Sequence, residues 1–381
     1  MHGTGKRYAV RWRDESRRER RKSFTLKGDA DKFAAKTTHE LERGQYIDPD
    51  ARKTLLRAVA EDWLQSAEHR PSTAEGARRQ LELHVLPYLG DRAVGGLKRG
   101  DLQLWIKDRR KVLADSTVAI VYGRLKAVLT YAVHNDLITK NPCDGIPAPS
   151  VKRKEPTPPP TEVVAALIAS APSRYRAMVL LAAGSGLRHG ELVGLERQHL
   201  DLDVGEVHVR QQAVRLDKGD PYIGQPKTDQ SYRVVPLAKT VVEALSEHLR
   251  RFPPTAVVLD DRTDPRKPHR RTALLVFANA NGRAINGGGW SRVWSNTVKR
   301  ADAKLEKDGS KLRVPPGTSA HDLRHYYASL LILHRESVKT VQRRLGHAKP
   351  SVTLDVYTHL FEEVEDTTRD AVQDALKDIS I

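Results

Sequence analysis

Residues Thr318 to Leu360 read TSAHDLRHYYASLLILHRESVKTVQRRLGHAKPSVTLDVYTHL, and the fold and chemistry of the chain are most legible here. His321 and Arg324 are three apart and His325 is four from His321, so all three share one side of a helix. Leu323, Tyr327, Leu330 and Leu331 supply an apolar face to bury. The spacing predicts a second helix that starts at Ser337, an N-cap residue, uses Val338, Val341 and Leu345, and stops at Gly346. His347 then follows a helix end. Pro350 and Ser351 restart the chain, and Val352, Leu354 and Val356 flank a short segment that delivers Tyr357.

Imidazoles, a guanidinium and a phenol on consecutive packed pieces suit one kind of chemistry. A phenol titrates near pH ~10 and needs cationic neighbours or a proton acceptor before it attacks. An arginine fork stays charged and donates two parallel bonds to phosphate oxygens. The set points to phosphoryl transfer through a covalent phosphotyrosine.

The rest of the chain names the partner. Across 381 residues there are 65 Lys+Arg against 48 Asp+Glu, a net charge of +17, and the excess is spread along the whole length. That balance predicts a polyanion, bound by more than one domain. Cys143 is the one cysteine, which excludes an intrachain disulfide or a cysteine-rich zinc module and suits a reducing cytoplasm. No apolar run of about 20 residues is present, so no membrane partner is expected.

From the start, Tyr8, Val10 and Trp12 alternate with Arg7, Arg11 and Arg13, a strand pattern, with a turn over 14–18 and a second strand ending at Phe24. A helix containing Phe33 and Leu41 follows. Residues 6–27 hold ten Lys+Arg against three acids, which suits contact with DNA backbone or groove. From Leu55 the pattern becomes helical, with stripes through Leu56, Val59 and Trp63, through Leu81, Val85 and Leu89, and through Val118, Val121, Leu125 and Leu129. Seven prolines between Pro142 and Pro160 mark a semi-extended connector.

Beyond it, GSGLRHGEL at Gly184 to Leu192 places Arg188 three residues before Glu191 on a helix. Its glycines resemble a phosphate loop only weakly, and no GK[ST] follows. Residues 204–237 alternate as strands, with Lys227 in a hairpin turn. The proline-rich, basic segment 253–272 reads as a surface excursion. Val364 to Ile379 has helical spacing and suits a terminal helix.

Arg188 in GLRHGEL, Lys227 in PKTDQSYRVVPL, His321 and Arg324 in HDLRH, and His347 and Tyr357 in LGHAKPSVTLDVYTH together resemble the tyrosine recombinase family, in particular integrases of phages and integrative elements. The resemblance implies a multidomain, mainly α chain: an arm-type DNA-binding domain over 1–48, a three-stranded sheet plus helix; a helical core-type DNA-binding domain over 55–146; a proline-rich linker over 147–160; and a mixed α/β catalytic domain over 161–381. It implies that Tyr357 attacks the scissile phosphate, Arg188 and Arg324 bind its oxygens, Lys227 protonates the leaving oxygen, His321 assists proton transfer or positioning, His347 hydrogen-bonds the phosphate, and Glu191 supports Arg188. Integration and excision would pass through a 3'-phosphotyrosine and a Holliday junction, with no cofactor, metal or ATP. The implied partners are double-stranded attachment sites, a homotetramer on DNA and an accessory DNA-bending or directionality factor; the implied place is the cytoplasm, at the nucleoid.

Three other readings compete. A metal-dependent nuclease using His321, His325 and His347 would set its cation beside Arg324, which repels it. A relaxing topoisomerase shares the nucleophile and lacks strand exchange between duplexes. A non-catalytic or accessory site-specific DNA-binding protein would keep the basic surface and have no use for Tyr357.

Overall fold

The structure is a computed structural model that describes residues 7–13, 19–42, 46–66, 71–149, 155–215, 220–362, 369 and 372–373. The expected turn at 14–18 and nearly all of the expected terminal helix lie outside the described residues. The chain divides into two compact units, Met1–Arg153 and Lys154–Ile381.

The first unit begins with β1 (Tyr8–Arg13) antiparallel to β2 (Glu19–Phe24), covered by α1 (Lys27–Glu42). Two strands make a marginal sheet by themselves. Phe33 of α1 stabilises this one, with its ring 5.3 Å from Trp12 and 5.2 Å from Phe24. The expected third strand is absent among the described residues. After α1 the chain instead brings Tyr46 edge-on to Trp12, so an aromatic cap occupies the end of the sheet.

The helical part comprises α2 (Leu56–Ser66), α3 (Pro71–His84), α4 (Leu86–Leu89), α5 (Arg99–Arg110) and α6 (Asp115–His134). Their stripes meet in one core in which Leu56, Leu81, Leu102, Leu125 and Leu129 are fully buried. Truncating any of these to alanine costs about 2–5 kcal/mol. Cys143 is buried and free in this core, and burial pushes its thiol up to about 11.

The second unit runs α7 (Thr161–Ser170), α8 (Ser173–Ser185), α9 (His189–Val193), β3 (Leu200–Asp201), β4 (Glu206–Val209), β5 (Gln212–Val214), β6 (Tyr222–Gly224), β7 (Arg233–Pro236), α10 (Lys239–Arg251), β8 (Thr255–Arg262), β9 (His269–Leu275), α11 (Gly287–Lys307), α12 (Asp322–Leu333), α13 (Val338–Leu345) and α14 (Pro350–Glu362). One sheet has the order β3-β4-β7 and the other β5-β6-β8-β9. The main core gathers α7, α8 and α10–α14, with Leu167, Leu181, Leu245, Ala328, Ile332, Val341 and Leu345 inside it.

Three expectations need correction. The segment 253–272 belongs to a β-hairpin, not a surface excursion, because Leu259, Ala273 and Leu275 alternate inward and pack on Ile223. Charged residues on the outer face hide that alternation in the sequence. Lys227 is not in a hairpin turn either, since β6 pairs with β5 and β8 while β7 pairs with β4. Its segment crosses from one sheet to the other. The segment delivering Tyr357 is longer than the spacing suggested, a full helix α14. Among the described residues no helix is long and apolar enough to cross a membrane.

Candidate active site

The site is built on two helix ends. α8 and α13 each stop at a glycine in the left-handed region, Gly186 at φ 61° and Gly346 at φ 64°. A Cβ on Gly186 would stand 2.5 Å from the Tyr327 ring, so a side chain there meets both strain and collision. Carbonyls near a helix C-terminus lack intrahelical partners and carry partial negative charge. Here they point at guanidinium groups: Arg324 donates to the Gly186 and Leu345 carbonyls, each at 2.6 Å, and Arg188 donates to the Gly346 carbonyl at 3.0 Å. The glycines of GSGLRHGEL therefore serve arginine placement, not a phosphate loop.

Glu191 completes the clamp. Its carboxylate accepts from the Arg188 backbone N–H at 2.9 Å and from the Arg188 side chain at 2.9 Å, fixing the first turn of α9. Arg188 also donates to Ser231 Oγ at 3.2 Å. The same carboxylate receives both terminal nitrogens of Arg233, at 3.1 and 2.8 Å, and Arg233 Nε donates to the Arg344 carbonyl at 2.7 Å. Burial alone would raise the Glu191 pKa, but the flanking Arg233 and Arg188 charges outweigh it and hold the carboxyl below its ordinary range.

Three guanidinium groups around one carboxylate leave an excess of positive charge, which is an anion site. Arg324 is 3 % exposed, and burial followed by the nearby Arg188 charge pulls its pKa down to about 9, so it remains cationic at neutral pH. The imidazoles shift in the same direction, and for them the shift decides the charge. Burial and the Arg324 and Arg188 charges hold His347 down to about 3, while burial and the neighbouring His321 hold His325 down to about 4. Both are neutral at pH 7.

Tyr357, on α14, is 2 % exposed, and burial pushes its phenol up to about 12 against the opposing pull of Arg324. Its oxygen is hydrogen-bonded to His325 Nδ1 at 2.8 Å. His347 Nδ1 is hydrogen-bonded to Thr353 Oγ1 at 3.0 Å. His321 stands exposed at the N-terminus of α12, its ring 5.0 Å from that of His325. Trp294 Nε1 donates to the Thr318 carbonyl at 2.9 Å and so ties down the loop that leads into His321. Lys227 is exposed, four residues before the Ser231 that touches Arg188.

Arg188, Glu191, Arg324, His321, His347 and Tyr357 thus converge around the ends of α8 and α13, and Lys227 lies on the adjoining crossover. Sequence reasoning missed Arg233, Ser231, Thr353 and Trp294. Arg233 left a signal: it shares the inward face of β7 with the fully buried Val235, where a charge is costly without a partner. Among the described residues no group of three or more His, Cys, Asp or Glu side chains is placed to hold a metal ion.

Residues 161–363 match the phage integrase family, and residues 56–147 match the phage integrase central domain. The chain belongs to the phage integrase family. It is a tyrosine-type site-specific DNA recombinase. Among curated relatives of this integrase, a putative prophage phiRv2 integrase of Mycobacterium tuberculosis is 25% identical over 338 residues, 87% of this chain and 83% of that protein. A tyrosine recombinase XerC-like protein of Caldanaerobacter subterraneus subsp. tengcongensis is 27% identical over 281 residues, 68% of this chain and 66% of the relative. The integrase also shares its fold with the Tn1549 transposon integrase, solved in complex with transposon right end DNA, at a TM-score of 0.69 and 20% identity over 85% of this chain and 100% of that one.

The shared carboxylate gives a stability prediction. Glu191→Ala strands Arg233, whose side chain is 2 % exposed, and loosens Arg188; unpairing a buried charge costs about 3–5 kcal/mol. Calorimetry should find the transition of the catalytic unit lowered. Because the folded carboxyl titrates below its unfolded value of about 4.3, its contribution is fully present above that pH and is lost as pH falls through the folded pKa. Wild type and Glu191→Ala should accordingly converge in stability under acid. Equal melting at pH 7 would contradict the clamp.

Proposed function

We propose that this integrase inserts and excises a mobile or viral DNA element by cutting and rejoining double-stranded attachment sites, with Tyr357 as nucleophile. The observation that carries this reading is a buried phenol within electrostatic reach of Arg324, beside two guanidinium groups held by helix-end carbonyls. A phosphodiester between Arg188 and Arg324 meets donors fixed before it arrives, so no reorganisation is needed as charge builds on its oxygens. Tyr357 attacks phosphorus and leaves a 3'-phosphotyrosine and a 5'-hydroxyl. Lys227, on a solvated crossover, closes over the leaving oxygen and protonates it. His347 donates to the phosphate from the ring edge opposite Thr353, His321 assists proton transfer or positioning, and Glu191 keeps Arg188 in place.

Attack by the 5'-hydroxyl of a partner duplex reverses the step and reseals the strand. The covalent bond conserves the phosphodiester energy, so neither ATP nor metal is required. Exchange between two duplexes takes four cleavages through a Holliday junction, which calls for a homotetramer on DNA, assisted by an accessory DNA-bending or directionality factor at the nucleoid. Residues 1–48 bind arm sites, 55–146 bind the core site beside the crossover, 147–160 link them to the catalytic domain at 161–381.

Strand exchange tests the function as a whole. Incubating two labelled duplexes from DNA flanking the protein's own gene should yield recombinant strands and a branched intermediate; relaxation of supercoils without exchange would support a topoisomerase instead. The arm assignment has its own test. Deleting residues 1–48 should leave the core footprint intact and remove protection at distant sites, and identical footprints for both proteins would end that assignment.

A further inference from the structure

Three imidazoles surround the reacting groups, and they are not equivalent. His347 has Nδ1 engaged by Thr353. His321 touches its neighbour His325 only edge to ring, with centroids 5.0 Å apart. His325 alone of the three is hydrogen-bonded to the Tyr357 oxygen among the described residues, through Nδ1 at 2.8 Å. Its place is set by chemistry already built into α12: it follows Arg324, whose side chain is locked between the Gly186 and Leu345 carbonyls, so the helix cannot turn without breaking that clamp.

We infer that His325 Nδ1 is the acceptor that takes the phenolic proton of Tyr357 during attack, with His321 one ring further out. The inference rests on the reading of Tyr357 as nucleophile and adds a catalytic residue to it. As the Tyr357 oxygen forms its bond to phosphorus, its proton passes to Nδ1. The P–O5' bond breaks, its electron pair stays on O5', and Lys227 supplies the proton there. In rejoining, the 5'-hydroxyl attacks phosphorus and gives its proton back to Lys227, the Tyr357–phosphorus bond breaks, and the Nδ1–H of His325 returns the other proton to the phenolate.

The need for an acceptor is large. A phenol raised to about 12 is ionised only to about one part in 10⁵ at pH 7. Arg324 donates to two carbonyls and, like any guanidinium, has no lone pair to accept the proton with. The groups facing His325 are His321, Asp322 and Arg324 from its own end of α12, and Tyr357 and His347 from the two following segments. Burial, with the neighbouring His321, keeps the imidazole neutral and able to accept. An incoming phosphate adds negative charge beside it and favours the protonated ring as the proton arrives.

The test compares wild type, His325→Gln, His325→Ala and Lys227→Ala on nicked duplexes from DNA flanking the protein's own gene, with either oxygen or sulfur at the bridging 5' position. Sulfur leaves without protonation, so it restores Lys227→Ala and should leave both His325 variants at least about 100-fold slow in adduct formation. The His325→Ala rate should climb about tenfold per pH unit where wild type levels off, as hydroxide replaces the missing acceptor. Recovery of His325→Gln by sulfur, or a rate for it equal to wild type, would overturn the inference. Histidine ¹⁵N spectra of the unaltered, DNA-free protein give an answer that depends on no substrate or variant: Nδ1 of His325 should be unprotonated, and an Nδ1–H tautomer would overturn it. An adduct in Tyr357→Phe would be a separate failure, that of the nucleophile itself.

Discussion

Tyr357→Phe protein binds its DNA with unchanged affinity and forms no covalent adduct. The substitution removes one oxygen from a side chain that is 2 % exposed, and the ring keeps its place on α14 among the residues of the core. The lost interaction is the hydrogen bond to His325, worth about 0.5–1.5 kcal/mol to stability, so the protein stays folded. Chemistry loses everything, because the attacking atom is gone and Tyr326 and Tyr327 face elsewhere. Tyr327 packs against Gly186, and the Tyr326 hydroxyl is bonded to Thr161. Denaturing gels and gel shifts on the same duplex read both quantities. An adduct that persists in this variant would remove Tyr357 from the reaction.

The second large effect belongs to Arg324→Ala, expected to slow cleavage by about a thousand-fold while binding is largely kept. Removing one fixed donor aimed at developing negative charge costs about 2.7–4 kcal/mol of transition-state stabilisation. At about 4 Å and an effective dielectric of about 20, one unit charge has a raw Coulomb energy of about 4 kcal/mol, which is of the same size. Only the part that grows in the transition state counts toward rate. If residues 1–146 bind DNA as proposed, affinity should survive because their phosphate contacts supply most of it, and it should weaken as salt rises. Arg324→Lys should not restore the rate. A lysine has no fork to span the Gly186 and Leu345 carbonyls, so it places its charge without fixed direction. Cleavage by Arg324→Ala at the wild-type rate would mean that the phosphate sits elsewhere.

The proposed site residues were the easiest to read in the sequence, and the residues that hold them in place were the hardest. Ser337 and Gly346 bound α13 in the structure as their chemistry predicts, with the Ser337 side chain accepting from the Thr340 N–H. His321, Arg324 and His325 follow from helical spacing alone. What spacing cannot reveal is a contact between distant positions. Arg233 meets Glu191 and Arg344 only after β7 has crossed back beneath α13, and Lys227 looked like a hairpin residue because strand pairing is not encoded in alternation. The β8–β9 hairpin was hidden for a related reason: Val258 and Leu274 face outward and charged residues share their face, so the inward alternation of Leu259, Ala273 and Leu275 is diluted. The third N-terminal strand was an expectation of the family resemblance, and the described residues put Tyr46 against Trp12 instead.

The bond between Tyr357 and DNA can be observed directly. Wild-type protein is incubated with a nicked duplex from the region flanking its gene, the trapped complex is digested with nuclease and protease, and the peptide that retains a nucleotide is sequenced by mass spectrometry. The account predicts a nucleotide on Tyr357, joined through its 3'-phosphate. A nucleotide on Tyr326, Tyr327 or any other side chain, or one joined through a 5'-phosphate, would contradict it.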